Sequence, residues 1–458
     1  MTKLSSARVI RALAGVAAAG VLQACSLSDL VDVKRPSEVL DPDAVKSYTG
    51  AITLYHGAST RFLMAFFGPV DGAGPYVVAS GTLADEYLMA NTNTLDQRVE
   101  DENGDVSTAG ALPTYNAVSS ARISTMQAVD YLRAYAPNAP KAYLADMYNY
   151  RGFAGLFLAE FFCSGVPMSG VDGDGKVVYG MSRSKEEWFN NSIVLFDSAL
   201  AQAGDSAYLQ KLSRLGRARA FMNLGEYDSA MAQVRDIDTD YAYVLKYVNT
   251  SPDGSGYWTM DLTYTATRVA DGEGGNGLPF ASARDPRVPL DSVIRQNAWE
   301  WYPRVYSRPQ SSVPLASGIQ ARLIEAEVQL KKGEISAWLT TLNTLRTSCT
   351  DDAPCPSPAP AGTGKVAGLS PLTDPGTARA RLILTFTEKA FWLFSQGHRQ
   401  GDLRRLVTQY GVPQDQLYPV GQYREGLGGA IYGAAIDAIP GNESKYNPAN
   451  YKGCLTRD

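Results

Sequence analysis

Apolar residues recur at helical spacing along most of the chain, and stretches rich in Gly and Pro interrupt them. From Asp43 to Phe67, the residues Val45, Tyr48, Ile52, Tyr55 and Ser59 fall near one face of a long helix. Tyr115 to Tyr135 repeats the pattern with Ile123, Met126, Ala128 and Leu132. Tyr143 to Phe162 has the strongest period. Its core candidates are Leu144, Met147, Phe157, Leu158 and Phe161, and its charges Asp146, Arg151 and Glu160 exclude a membrane span. Ser184 and Glu187 form a capping box that opens a helix with Trp188, Ser192, Phe196 and Leu200 stacked.

Two helix pairs follow. One turns at Leu224-Gly225, with Tyr227 and Ala230 beyond; the other turns at Gly333, with Ala337 and Leu342 beyond. Both resemble tetratricopeptide hairpins, which need neighbours to bury their apolar faces. A later long helix carries Leu382, Phe386, Ala390 and Leu393 on one face, with Asp374-Pro375 as its expected start and Gly397 as a left-handed stop. Asp402 is expected to cap the helix after it. Between helices, residues 68–114, 247–314 and 347–376 are expected as loop inserts, the first including a loop from Gly68 to Gly81. Strand is expected within the second insert, around Trp258 to Tyr264.

The N-terminus changes the picture. Lys3, Arg8 and Arg11 precede an apolar run from Ala12 to Leu22, too short to span a bilayer. Leu22-Gln-Ala-Cys25 follows and resembles a bacterial lipobox, in which the cysteine is lipidated. Residues 1–24 are therefore read as a lipoprotein signal peptide, 25–42 as a polar tether and 43–458 as one folded domain. Removing the signal takes the net charge from -5 to -8, which gives no basic footprint for nucleic acid. Only His56 and His398 occur, so neither a histidine metal cluster nor a Ser-His-Asp triad is expected.

Four cysteines remain after Cys25. Cys349 and Cys355 bracket a loop short enough to close, which leaves Cys163 to pair with Cys454; other connectivities stay open.

Near the C-terminus Glu388, Arg399, Asp402, Arg404 and Arg405 crowd a short helix corner, and a pair between Glu388 and Arg399 is expected to lock it. Glu388, Gly397, Arg399, Asp402, Leu403 and Arg405 resemble the signature of the SusD/RagB family of outer-membrane nutrient-binding lipoproteins, with Lys389 where an Arg is usual. Phe161 to Met168, Asp285-Pro-Arg287 and the closing Ile439-Pro-Gly-Asn-Glu443 with Asn447-Pro448 resemble further landmarks of that family. The resemblance implies a mainly α fold, with tetratricopeptide-like helix pairs forming an α-α superhelical scaffold with long irregular loops and minor β. It implies a lipid-anchored outer-membrane protein that captures oligosaccharides, or peptides in one branch, for a SusC-like TonB-dependent transporter. A helical-repeat scaffold that binds proteins is the competing reading.

Other motifs carry less. Gly272 to Gly277 matches GxGxxG but lacks a preceding strand and a following helix. Asp172-Gly-Asp-Gly departs from a calcium loop at Lys176 and Val177. Asp85-Glu86 does not show two carboxyls flanking a bond. No catalytic residue, cofactor or metal is expected. The ligand is expected where Asp85, Asn93, Arg98 and Tyr115 of the early polar stretch meet Tyr257, Trp258, Trp299 and Trp301 of the aromatic insert. Sugar rings stack on aromatics and bridge to polar groups, although each of these rings serves equally well as a plug in the scaffold.

Overall fold

The computed structural model describes residues 45–68, 75–89, 111–172, 176–248, 267–295, 298–306, 311–347, 369–422, 432, 437–438, 440 and 443–455. Cys25, Asn93, Arg98, Tyr257, Trp258, the stretch 258–264, Cys349 and Cys355 lie outside them.

Helix α1 (Tyr48–Phe67) begins where Ser47 Oγ accepts a hydrogen bond from the Gly50 N–H at 3.0 Å. Its buried stripe is Ala51, Ala58, Phe62, Ala65 and Phe66, while Tyr48 is exposed. The core face is thus rotated away from the expected row of tyrosines, because Phe62 and Phe66 bury more apolar surface. Helix α2 (Tyr76–Leu83) lies where a loop was expected, and all eight of its residues are buried.

The helices α3 (Leu112–Tyr135), α4 (Lys141–Phe161), α5 (Lys185–Ala203), α6 (Ala207–Leu224) and α7 (Tyr227–Val234) then pack each on the next, with α1 against α3. Both arms of the α5 capping box form: the Glu187 N–H donates to Ser184 Oγ, and Glu187 Oε2 accepts from the Ser184 N–H at 2.8 Å. Phe196 of α5 presses so close to α6 that a Cβ at Gly216 would stand 2.3 Å from its ring. Helix α7 passes the stack to α8 (Gly318–Lys331), which pairs with α9 (Ile335–Thr347). Gly225 and Gly333 take left-handed backbone at the two hairpin turns, with φ of +73° and +74°.

The insert expected to be mostly irregular carries strand in part where it is described, while 270–289 are turns, irregular chain and a short 3-10 helix. Strand β1 (Tyr87–Met89) pairs with β5 (Thr267–Val269), and β2 (Gly170–Val171) with β3 (Val177–Val178). Strand β4 (Ala242–Leu245) pairs with β8 (Val313–Ser317), and β6 (Leu290–Arg295) with β7 (Ala298–Pro303). All four pairs are antiparallel. The Gly272–Gly277 stretch holds a short 3-10 turn, not a phosphate loop leading into a helix.

Two further corrections concern caps. Helix α10 (Ala378–Trp392) starts at Thr377, whose Oγ1 accepts from the Ala380 N–H; Asp374 instead pairs with Arg381 at 2.7 Å. Helix α11 (Arg399–Thr408) starts after His398, so Asp402 lies inside its first turn and does not cap it. Gly397 does take the left-handed conformation, and a Cβ there would stand 2.7 Å from the Tyr76 ring. After the short α12 (Glu443–Tyr446), a disulfide joins Cys454 to Cys163 at the exit of α4, as expected. No helix of the described residues is long and apolar enough to cross a membrane.

Candidate ligand-binding site

The charged corner is a buried framework. Arg399 does not pair with Glu388. Its Nε and Nη2 donate to Asp85 Oδ1 and Oδ2 at 2.6 and 2.8 Å, and Asp85 Oδ2 also accepts from the Leu278 N–H. Glu388 instead accepts from Arg287 at 2.8 Å and Arg346 at 2.6 Å, and Arg287 holds Asp285 as well. Lys389, the departure from the family signature, bridges Glu327 and Asp402 at 2.7 Å each. Arg405 binds the same two carboxylates. Burial would raise both acids, but Arg405 and Lys389 hold them below the ordinary carboxylate range.

A second buried pair, Glu160 with Arg219, ties α4 to α6, and Arg219 also donates to the Gly397 carbonyl at 2.6 Å. Beside it burial pushes the His398 imidazole well below its ordinary 6.5, with Arg219 adding to the effect. Glu86 is the exception in this framework. It accepts one bond, from the Ser395 N–H at 3.2 Å, and its other oxygen is buried without a partner. Burial pushes its carboxyl up to about 8.

Asp85 is therefore removed from the ligand-contacting set: it is fully buried, and Arg399 engages both its oxygens. Tyr115 is likewise buried on α3, where its hydroxyl donates to Glu443. Both sit at the ends of the early polar stretch, and at these two positions the polar groups read as recognition serve packing. The two stretches do come together, however, because β1 leaves Asp85-Glu86 and pairs directly with β5 of the insert.

Beyond β5 stands the β6–β7 hairpin. Trp301 faces Ser292 across it, and Trp299 faces Ile294; the Trp299 side chain lies outside the described residues. Trp301 is half-buried against the main core, with the Arg284 guanidinium 4.0 Å from its ring centroid. On β5, Arg268 lies 4.1 Å from the Tyr302 ring centroid and pairs with Glu300 at 3.0 Å. Tyr302 and Arg268 are buried, whereas Trp301 is partly exposed and Arg284, in the turn before the hairpin, is exposed, so these last two offer an aromatic edge and guanidinium donors at the surface. Stacking and polar recognition of a small ring-shaped ligand need both. Arg284 and Arg268 were missed in the sequence, since one sits in a turn and the other on a three-residue strand too short to show a period.

No known family profile and no curated protein matches this sequence. Solved structures do. A SusD superfamily protein from Bacteroides vulgatus aligns at 13% identity over 90% of this chain and 99% of its own, with a TM-score of 0.59. A SusD-like carbohydrate binding protein from the same organism aligns at 14% identity over 83% and 86%, with a TM-score of 0.56. A SusD/RagB family protein from Bacteroides thetaiotaomicron aligns at 12% identity over 78% and 87%, with a TM-score of 0.54.

Proposed function

We propose that this chain, which has the SusD-like fold, is a surface-exposed lipoprotein that captures an oligosaccharide and delivers it to a SusC-like TonB-dependent transporter in the outer membrane. The observation that carries this reading is the half-buried Trp301 on the β6–β7 hairpin, held by a fold shared with a carbohydrate-binding protein. A tryptophan fixed on paired strands is a rigid apolar surface, and its packing against the main core keeps it in place. The lipobox-like segment ending at Cys25 supplies the anchor. The carboxylates Asp85, Glu160, Glu327, Glu388 and Asp402 are engaged as buried ion pairs, which supports a protein that binds its ligand without transforming it.

Affinity electrophoresis and calorimetry with a panel of oligosaccharides test this. Trp301→Ala should weaken binding roughly tenfold or more, since stacking on one aromatic contributes about 1–3 kcal/mol. Binding unchanged by that substitution moves the site elsewhere. A chain that binds no glycan but retains a peptide favours the peptide-capturing branch.

A further inference from the structure

The geometry points to a carboxylate-bearing saccharide as the ligand class, read by Arg284; this rests on the capture reading above. Strand β5, the β6–β7 hairpin and the chain between them carry several arginines, and of those whose side chains are described most are neutralised. Arg268 pairs with Glu300, Arg287 with Asp285 and Glu388, and Arg304 with Asp291. Arg284 is exposed and has no carboxylate partner among the described residues.

Its position is built. The backbone of Arg284 is left-handed, with φ +51°, a conformation that residues other than glycine adopt only under constraint. The constraint is visible on both sides. The Ser282 N–H and hydroxyl both donate to Asp271 at 2.8 and 2.9 Å. Asp285 is gripped by Arg287, which is itself locked to the buried Glu388. Between these two clamps the chain is turned so that the Arg284 guanidinium lies over Trp301. A guanidinium stacked on an indole keeps its in-plane N–H groups free, and their fork matches a carboxylate. A neutral glycan would leave this cation, which has no carboxylate partner among the described residues, unused.

The test uses the purified full chain with oligosaccharides of galacturonate, of mannuronate and guluronate, and of glucuronate, each beside its carboxyl-reduced, neutral counterpart. At least one uronate series should bind roughly tenfold or more tightly than its reduced form, the range for a hydrogen-bonded ion pair. Raising salt should erase that preference. Arg284→Gly suits the left-handed backbone, so it removes the guanidinium without endangering the fold. It should abolish the preference, so that the uronate and its reduced form bind alike. Arg284→Lys keeps the charge but not the fork and should retain only part of the preference. Equal binding of every uronate series and its reduced form, or a preference that survives Arg284→Gly, overturns the assignment and leaves glycan capture standing. Binding of none of these sugars while neutral plant or host glycans bind also overturns it. Binding of no glycan at all overturns both readings.

Discussion

Replacing Arg399 with methionine should be among the most damaging single changes in the chain. The methionine fills much of the space, so packing loss is small. What is lost is the double hydrogen bond to Asp85, at 2.6 and 2.8 Å, in a place where neither side chain reaches solvent. Asp85 keeps only the Leu278 N–H as a donor, with the carboxyl of Glu86 next to it in sequence. An unpaired buried charge of this kind costs roughly 3–5 kcal/mol. Adding Asp85→Asn removes the stranded charge and lets the amide oxygen keep the Leu278 bond. The double variant should therefore recover about half or more of the loss, a coupling of roughly 2 kcal/mol. Urea unfolding of the four proteins of this cycle measures it. A loss under about 1 kcal/mol for Arg399→Met, or two single losses that simply add, would refute the argument.

Three further outcomes follow from the same structure. Glu86 holds its proton up to about pH 8 when folded, against an ordinary 4.5, so its stabilising contribution is full below pH 4.5 and is lost as pH rises toward 8. Asp146, pushed up to about 6 by burial, adds the same sign lower down, and His398 opposes it below 6.5. Between pH 6.5 and 8 the wild type should thus lose roughly 1.5–2 kcal/mol, and Glu86→Gln should flatten that slope in pH-dependent urea melts. Cys454→Ser should lower stability by about 2–5 kcal/mol, and reductant should lower the melting temperature of the wild type but not of the variant. An alkyne fatty acid fed to expressing cells should label the wild type and not Cys25→Ala; equal labelling removes the lipid anchor.

The sequence announces helices wherever one face is apolar and an end is marked. The capping box at Ser184, the turns at Gly225 and Gly333 and the stop at Gly397 are all found in place. Helix α2 escapes notice for a physical reason: a helix buried on every side has no polar face, hence no period, and Pro75 and Gly81 read as loop. The β6–β7 hairpin hides because its two faces do not alternate cleanly, with both Trp301 and Tyr302 drawn inward. The corner was visible as a crowd of charges, but not its pairing. The acids that hold Arg399 and Arg405 are Asp85 and Glu327, far away in sequence, and spacing says nothing about distant partners. The lysine in place of an arginine at position 389 weakened the signature, yet its ammonium still links two carboxylates.

The separation of those partners sets a timetable. Asp85 waits for a residue 314 positions later, and Cys163 for one 291 positions later. At about 5–20 residues per second, Cys163 is made roughly 15–60 s before its mate exists. During that interval the helices α1 to α4 are complete, but their carboxylates and one thiol have nothing to close upon. A chain that emerges N-terminus first cannot finish its centre until nearly its last residue has appeared, so a ribosome stalled before Arg399 leaves a helical stack with an open, charged seam. Such a protein must be kept unfinished, and kept from aggregating, for almost the whole of its synthesis.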